Sequence, residues 1–463
     1  MGKASYKMKA TIFVLLTGFV GWAAKTPLKP PMDYVATVPH ASHISMMATD
    51  FRYDQPPEEY DWTAKHYDRI MSGKIAEYRR RNPAIKFYVY AENLIVIQET
   101  HRDPPEIFTA YYNDMKHWYE SHPAYKIEDA FLHNAAVCPA KKPKIRACRI
   151  QTTWAEHLRW VMNPGDAGLR AYNADRLHRI VTNLNQTGYD ADGIFFDEHD
   201  SGVFSHWKTF SIREYPVWGR YEDDVIGLLT FERRALGKLI QLNTAEYISS
   251  MDQRMTLAAG STHMELANNP LNDWLEDRWR FIDTLLQKGA YVEFVNAYTW
   301  KDAAVIPGLS RGNQPSPLLR FKMSELCSYY MVVPAVAANL SLFMGNDGWS
   351  VPMPQQWMKA IEVDVGHPLG PRTLAYQGKT SGGKPVRIWR REFGKALVFM
   401  RSKVSWDYND YGDGSGVALN LPSGEKWHPL LGDGTLGPPA TSVILRNPEG
   451  MIFIKGSALP RNH

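Results

Sequence analysis

The sequence is organised around the stretch GYDADGIFFDE, which runs from Gly188 to Glu198. Within it, the apolar run Gly193–Phe196 is followed at once by two acids, Asp197 and Glu198. A short apolar run of this kind is typical of a strand that is buried on both faces of a parallel sheet. In parallel barrels the reactive groups follow the carboxyl ends of the strands. The stretch therefore predicts a strand that delivers Asp197 and Glu198 to a functional site.

Around this strand, short apolar runs alternate with amphipathic stretches over residues 34–366, the pattern of βα units around a parallel sheet. The predicted strands are Tyr67–Ser72, Ile85–Tyr90, Ala130–His133, Gly193–Asp197, Met255–Ala259, Tyr291–Val295 and Leu340–Met344. The predicted helices are Ile75–Arg81, Ala171–Asn185, Val225–Tyr247, Leu318–Met331 and one that carries Leu275, Trp279, Ile282, Leu285 and Leu286 on one face. We therefore predict an α/β fold, a (β/α)8 TIM barrel, although these patterns do not supply all eight strands.

The sequence pattern changes over residues 367–463, where short strand-like runs lie between turns that contain Gly, Pro and Asp. These runs are Val386–Arg390, Ala396–Arg401, Gly416–Leu421, Thr441–Leu445 and Met451–Ile454. Such spacing is typical of an all-β module. We predict a C-terminal β-sandwich domain of roughly a hundred residues.

The composition suits a soluble globular protein with a large core, at 44% hydrophobic and 22% charged among 463 residues. The formal net charge of +4 is small for this length, and nucleic-acid binding usually needs a strongly basic face. Aromatic residues make up 12% of the chain. Their flat rings stack on the C–H faces of sugars, although core and surface packing accounts for most of them. Carbohydrate is therefore the expected partner, and nucleic acid is not.

The N-terminus resembles an export signal. Lys3, Lys7 and Lys9 precede the uncharged apolar run Ala10–Ala24, which ends in small residues. The run is shorter than the ~20 residues that a membrane span needs, so we predict a cleaved signal peptide over residues 1–24 and a Pro-rich linker over residues 25–33. The expected location is secreted or periplasmic, without a membrane span after cleavage; an uncleaved anchor is the alternative.

Cys138 and Cys148 flank a short loop, and an oxidising compartment would permit a disulfide between them. Two free thiols are the alternative. The sequence does not decide between these states, and it does not predict an oligomeric state.

Carboxylates that follow or lie within three predicted strands suggest glycosidic bond cleavage. This reaction needs one protonated carboxyl group for the leaving group and one ionised carboxylate that attacks the sugar or activates water. Strand alternation turns Asp197 inward, so we predict it to be the ionised partner, with Glu198 orienting it, binding a sugar hydroxyl or replacing it. Glu293 lies between the aromatic residues Tyr291 and Phe294, and an apolar setting raises a carboxyl pKa as a general acid requires. We predict Glu293 to be the acid/base.

Further polar or aromatic residues lie near predicted strand ends or the central acids, where they would reach a substrate. The predicted substrate-binding residues are Glu92, His133, His199, Asn268, Asn296 and Trp300. Ordinary packing or a loop hydrogen bond is the alternative role for each of them.

The stretch Gly188 to Glu198 resembles the "gyDGiFlDe" strand of TIM-barrel glycoside hydrolases, in particular the group called hypothetical glycosyl hydrolase family 15. Asn82-Pro83, the run from Met162 to Gly165, and Gly366-His367-Pro368 fit that group in order. The resemblance covers about Tyr60 to Ile454 and implies carbohydrate cleavage with Asp197 on the fourth strand. In barrels with the nucleophile on strand four and the acid on strand six, Glu293 would match the second position, and retention of configuration is the implied outcome. This stretch departs from the family pattern in two places. Ala191 separates the Tyr-Asp and Asp-Gly elements, and His199-Asp200 follow Glu198.

Two other functions stay open at this point. The run Asp197-Glu198-His199-Asp200 would suit a metal-dependent carbohydrate deacetylase, but successive residues of a strand point to alternate sides, and no HxH or HExxH spacing accompanies it. A non-catalytic carbohydrate-binding barrel would need aromatic platforms without two opposed carboxylates. We predict a glycoside hydrolase with no metal and no cofactor.

Overall fold

The computed structural model describes most of the chain between Ile44 and Ala458. The described ranges are 44–49, 55–71, 74–97, 106–139, 141, 144–154, 157–182, 187–244, 247–265, 275–298, 317–334, 339–346, 352–383, 385–402, 415–446 and 449–458. The expected signal peptide and linker lie outside these ranges.

Eight parallel strands close into a barrel, which confirms the predicted fold class. In chain order they are β1 (Ser45–Thr49), β2 (Arg69–Met71), β3 (Lys86–Ala91), β7 (Gly193–Phe196), β8 (Leu239–Asn243), β9 (Gly260–Glu265), β10 (Tyr291–Tyr298) and β11 (Leu340–Asn346). Each strand pairs with the barrel strand that follows it in sequence, and β11 closes on β1. Consequently β7 is the fourth barrel strand, β9 the sixth and β10 the seventh.

Helices alternate with these strands. They are α1 (Pro57–His66), α2 (Ile75–Arg81), α3 (Glu106–Ser121), α4 (Ala167–Val181), α5 (Ser201–Trp207), α6 (Trp218–Leu236), α7 (Ser250–Ala259), α8 (Leu275–Gln287), α9 (Pro317–Val332) and α10 (Met353–Gln356). Short 3-10 turns lie at Ile127–Ala130, Arg146–Cys148, Lys359–Glu362 and Gly456–Ala458.

The barrel strands are largely buried because helices cover their outer faces and side chains fill the interior. All four residues of β7 and all five of β8 are buried, as expected for a parallel sheet with both faces covered. Inside the barrel, one apolar cluster joins Met47, Met71, Tyr88, Phe195 and Leu239. This packed interior leaves the carboxyl ends of the strands as the place for chemistry.

Three predicted elements are wrong, and two of them fail at a helix end. The helix expected over Val225–Tyr247 ends at Leu236, because Gly237 adopts a left-handed conformation with a φ of 62° and terminates it. The strand expected over Met255–Ala259 is the end of α7, which a second left-handed glycine, Gly260, terminates at a φ of 95°. In both places a barrel strand follows the helix closely. The hydrophobic periodicity of the sequence did not distinguish the strand from the helix.

A small antiparallel sheet is inserted between the third and fourth barrel strands. It consists of β4 (Ile95–Ile97), β5 (Gln151–Trp154) and β6 (His157–Val161), in the order β4-β6-β5. The strand expected over Ala130–His133 is also wrong, since this region forms a 3-10 turn and isolated bridges beside the small sheet. An insertion after a barrel strand lies on the side of the barrel where βα loops gather, and β6 brings Arg159 there.

The C-terminal residues form two antiparallel sheets that pack on each other, as predicted. One sheet has the order β12-β13-β14-β18-β16 and the other pairs β15 with β17. Their bounds are Thr373–Lys379, Pro385–Glu392, Ala396–Ser402, Val417–Asn420, Trp427–Pro429, Ser442–Leu445 and Glu449–Lys455, for β12 to β18 in order. Side chains of both sheets share one apolar core. The domain boundary predicted at Gly366/His367 lies between β11 and β12, and it stays a prediction.

The three cysteines are free thiols in this structure. Burial, and then a hydrogen bond with the Cys148 thiol, raise the pKa of the Cys138 thiol to about 11. Among the described residues, no helix combines the length and the apolar character that crossing a membrane requires.

Candidate active site

Asp197 follows β7 at the mouth of the barrel and accepts three hydrogen bonds. Its Oδ2 accepts from the Tyr90 hydroxyl at 2.8 Å, and its Oδ1 accepts from Asn243 Nδ2 at 2.8 Å and from the Glu198 backbone N–H at 2.8 Å. The side chain is half-buried. In all three bonds Asp197 is the acceptor, which is the only role open to an ionised carboxylate.

Glu92 lies just beyond β3 and shares the Tyr90 hydroxyl with Asp197. Tyr90 Oη is 3.2 Å from Glu92 Oε1, and no described group bonds to the other oxygen of Glu92. The side chain is 8% exposed. Burial, and then the charges of Asp197 and Glu198, raise its pKa well above the usual range, against the lowering effects of Arg159 and Tyr90.

The shared hydroxyl also restricts where the proton lies. A tyrosine hydroxyl has one hydrogen and can donate to only one of the two carboxyl groups. When Tyr90 donates to Asp197, its contact with Glu92 requires a proton on Glu92, which then donates to the hydroxyl oxygen. The raised pKa of Glu92 favours this arrangement.

Glu198 turns away from Asp197 although the two are adjacent. Its backbone has a φ of 52°, which is uncommon for a residue other than glycine. This turn directs the side chain to Arg159, whose NH1 donates to Glu198 Oε1 at 2.7 Å. The salt bridge joins the fourth barrel strand to the small inserted sheet and fixes one wall of the mouth.

Asn243 and Glu265 belong to the site and were missed by sequence reasoning. Asn243 ends β8, and its Nδ2 donates to both Asp197 Oδ1 at 2.8 Å and Glu265 Oε2 at 3.0 Å. Glu265 ends β9, the sixth barrel strand, and is half-buried. Two glycines in the sequence could have revealed these residues. Gly237 ends α6 before the strand that carries Asn243, and Gly260 ends α7 at the strand that carries Glu265.

Glu293 does not meet Asp197 at the mouth, and its expected place on the sixth barrel strand is wrong. It lies on β10, the seventh strand, and is 0% exposed. Its Oε2 accepts from Gln241 Nε2 at 2.8 Å and pairs with His263 Nδ1 at 2.8 Å. Gln241 precedes Asn243 by two residues on β8, so it lies one pleat deeper in the barrel. Glu293 is therefore a buried partner of His263 below the mouth.

His199 is also enclosed, contrary to the expectation that it binds substrate. It is 1% exposed, its Nδ1 lies 2.7 Å from the backbone oxygen of Asp197, and its ring stacks on Phe196. Burial lowers its pKa to about 4, so the ring is neutral at neutral pH. Its contacts with Asp197 and Phe196 stabilise the turn after β7.

The side chains of the four residues from Asp197 to Asp200 diverge and do not converge on one point. Asp200 caps α5 by accepting from the backbone N–H of Val203 at 2.8 Å, and burial raises its pKa to about 7. Within the described part of the chain, no group of three or more His, Cys, Asp or Glu side chains is placed to hold a metal ion.

His133 lies in a buried ion-pair cluster beside the small sheet, which contradicts its expected role in substrate binding. The side chain is 0% exposed, with Nδ1 2.8 Å from Glu214 and Nε2 3.1 Å from Glu128. Arg149 binds the Glu128 carboxylate through two nitrogens at 2.9 and 2.6 Å. Burial opposes a charge on His133, but the two carboxylates outweigh it and raise its pKa. The cluster fixes the insertion and leaves no ring nitrogen for a ligand.

For three expected substrate-binding residues the structure does not describe the side chain. Asn268 and Trp300 lie outside the described residues. Asn296 belongs to β10, opposite Met344 of β11, but its side chain is outside what the structure describes. Their roles stay predictions.

No family model and no curated protein matches the sequence, so the resemblance to hypothetical glycosyl hydrolase family 15 is not confirmed. Solved structures similar to this chain include a family 27 β-L-arabinopyranosidase from Geobacillus stearothermophilus, with 9% identity, a TM-score of 0.43, and coverage of 91% of this chain and 98% of that one. An α-amylase from Lactobacillus plantarum has 9% identity and a TM-score of 0.43, over 89% of this chain and 98% of that one. At these values the likeness says nothing about the chemistry of this chain, whose fold rests on its own strand order.

Proposed function

We propose that the protein is a glycoside hydrolase that cleaves an oligosaccharide or polysaccharide at the barrel mouth. The observation that carries the proposal is the Tyr90 hydroxyl, which lies between the carboxyl groups of Asp197 and Glu92. Glycosidic cleavage needs one protonated and one ionised carboxyl group close together. The environment of this pair favours that division, because the pKa of Glu92 is raised and Asp197 accepts three hydrogen bonds.

In this proposal Glu92 is the acid/base, in place of Glu293. Glu92 protonates the leaving oxygen, and Asp197 attacks the anomeric carbon to form a glycosyl-enzyme intermediate. Glu92 then removes a proton from the water that attacks this intermediate. Glu265 is the alternative acid/base, since Asn243 bridges it to Asp197. Arg159 and Glu198 form the wall beside the reacting groups.

The spacing favours retention of configuration. The nearest oxygens of Glu92 and Asp197 are no farther apart than the sum of their 3.2 and 2.8 Å distances to Tyr90 Oη. This limit on the nearest oxygens accommodates the ~5–5.5 Å between the carboxyl groups of retaining enzymes.

The test is reducing-sugar release from a panel of bacterial and plant polysaccharides, with wild type, Asp197→Asn, Glu92→Gln and Glu265→Gln. Asp223→Asn is the matched control, because Asp223 is an exposed carboxylate on α6 paired with Arg254. We expect release by wild type and by the control, and none by Asp197→Asn. Glu92→Gln should lose most activity, unless Glu265 is the acid/base. Full activity in Asp197→Asn contradicts the mechanism, and glycan binding without release by wild type favours a binding protein.

We also propose that the protein is exported, on the basis of the N-terminal run Ala10–Ala24. N-terminal sequencing of the protein from its native host tests this. A mature N-terminus near Lys25 supports cleavage, and retention of Met1 in a membrane fraction favours the anchor.

A further inference from the structure

Glu232 is a buried carboxyl group behind the proposed acid/base. It lies on α6 with 0% exposure. Its two oxygens accept from Asn93 Nδ2 at 2.8 Å and from Asn173 Nδ2 at 2.9 Å. Asn93 directly follows Glu92, so Glu232 holds the chain immediately after the residue that faces Asp197.

The backbone of Glu92 and Asn93 is held by further side chains from the surrounding helices. Arg176 of α4 donates to the Glu92 backbone oxygen at 2.7 Å, and Asn173 donates to the Asn93 backbone oxygen at 3.3 Å. The Tyr111 hydroxyl of α3 donates to Asn173 Oδ1 at 3.2 Å, and the Arg176 guanidinium lies 3.8 Å from the Tyr111 ring centre. The two residues after β3 are thus bonded to α3, α4 and α6 through buried groups.

We infer that Glu232 is a positioning residue, which acts through Asn93 and Asn173 to fix the direction of the Glu92 carboxyl toward Tyr90 and Asp197. The inference rests on the proposed function for the role of Glu92 in hydrolysis. Its structural part, the coupling between Glu232 and Glu92, is independent of any substrate.

The two carboxyl groups have different charged surroundings. Glu232 faces Arg176 and Arg170 from α4, and burial raises its pKa to about 8 against the hydrogen bonds from the two asparagines. Glu92 faces the carboxylates of Asp197 and Glu198. Burial thus raises the pKa of Glu92 and also that of Glu232, which binds the residue after it.

Glu232→Gln is the informative substitution. Glutamine has the same size but only one acceptor oxygen, so either Asn93 or Asn173 loses its partner. We expect hydrolysis of the active glycan to fall about tenfold, the effect of one lost buried hydrogen bond. The 4-nitrophenyl glycoside of the released sugar, whose leaving group needs little protonation, should be cleaved at a rate within about twofold of wild type. Equal losses on both substrates overturn the inference.

A double variant separates positioning from a general effect on the fold. If Glu232 acts through Glu92, Glu92→Gln combined with Glu232→Gln should be no slower than Glu92→Gln alone. If the two effects multiply, Glu232 acts elsewhere and the inference fails. Asp223→Asn on the same helix is the control, and circular dichroism establishes that each variant is folded.

A titration without substrate keeps the inference testable if Glu92 is not the acid/base. The infrared carboxyl band that Glu92→Gln removes is followed against pH, with and without Glu232→Gln. We expect its midpoint to fall by about one pH unit in Glu232→Gln, because a loosened Glu92 gains water. An unchanged midpoint overturns the coupling. Full glycan hydrolysis by Glu92→Gln, by contrast, contradicts the proposed role of Glu92 and leaves the coupling to be judged by this titration.

Discussion

The hydroxyl of Tyr90 lies 2.8 Å from a carboxylate oxygen of Asp197, although Tyr90 is on β3 and Asp197 follows β7. These strands pair in parallel, with Tyr90 opposite Phe195. Both side chains point into the barrel, so a residue two positions beyond Phe195 comes within reach of the Tyr90 ring. Through the same hydroxyl, Asp197 lies next to Glu92, the proposed proton donor.

Removal of this hydroxyl should slow the reaction without unfolding the barrel. Tyr90→Phe keeps the ring, which packs 5.5 Å from Phe195 between centroids, but removes the bond to Asp197. A hydrogen bond to a charged group contributes about 1.5–3 kcal/mol, so we expect kcat to fall roughly 10- to 150-fold. Steady-state kinetics on the active glycan measure this. An unchanged kcat would show that the hydroxyl is not part of the reaction.

The pH dependence of hydrolysis should identify the proton donor. Glu92 must be protonated to act as the acid, so kcat/KM should fall as the pH rises through its raised pKa. In Glu92→Gln this alkaline limb should disappear, and the rate should drop by about 10²- to 10⁴-fold. If the alkaline limb persists in Glu92→Gln and disappears in Glu265→Gln, the acid/base is Glu265.

Glu293→Gln should reduce stability, with the largest effect at lower pH. Burial opposes a charge on His263, but Glu293 outweighs it and raises the His263 pKa. The contribution of the pair is therefore complete below about pH 6.5, the ordinary value for histidine, and is lost as the pH rises through the raised value. Breaking a buried ion pair costs about 3–5 kcal/mol. Urea unfolding of both proteins at a series of pH values measures the difference, and a constant difference would contradict the charge on His263.

Glu232→Gln should make stability less dependent on pH in the alkaline range. The folded protein holds the Glu232 proton up to about pH 8, whereas the unfolded chain releases it near the ordinary value of about 4.3. The stability that this carboxyl contributes is therefore greatest below the unfolded value and is lost as the pH rises to about 8. From pH 5 to pH 9 the loss is on the order of 4 kcal/mol. The free energy of unfolding of Glu232→Gln should decline less over this interval, and an equal decline in both proteins would contradict the raised pKa.

Helix limits could be predicted from the sequence where a local signal marks the end of the helix. The helix Ile75–Arg81 has the predicted limits, because Asn82-Pro83 stops it in any context. At Gly237 and Gly260 the helix ends were missed, and with them the strands β8 and β9. β8 (LIQLN) and β9 (GSTHME) carry polar as well as apolar residues, and at most two residues lie between each strand and the preceding helix, so no apolar run separates them from it.

The sequence by itself determined the barrel, the C-terminal β-module and the position of Asp197, because apolar runs, turn residues and the order of elements are local properties. The tertiary structure decided which carboxyl groups meet. Glu92 and Glu265 reach the neighbourhood of Asp197 through Tyr90 and Asn243. Glu293 stays one layer below, since the depth of a side chain depends on the stagger of neighbouring strands around the closed barrel. That stagger is set by pairings between segments that are distant in the sequence, so no local sequence pattern predicts it.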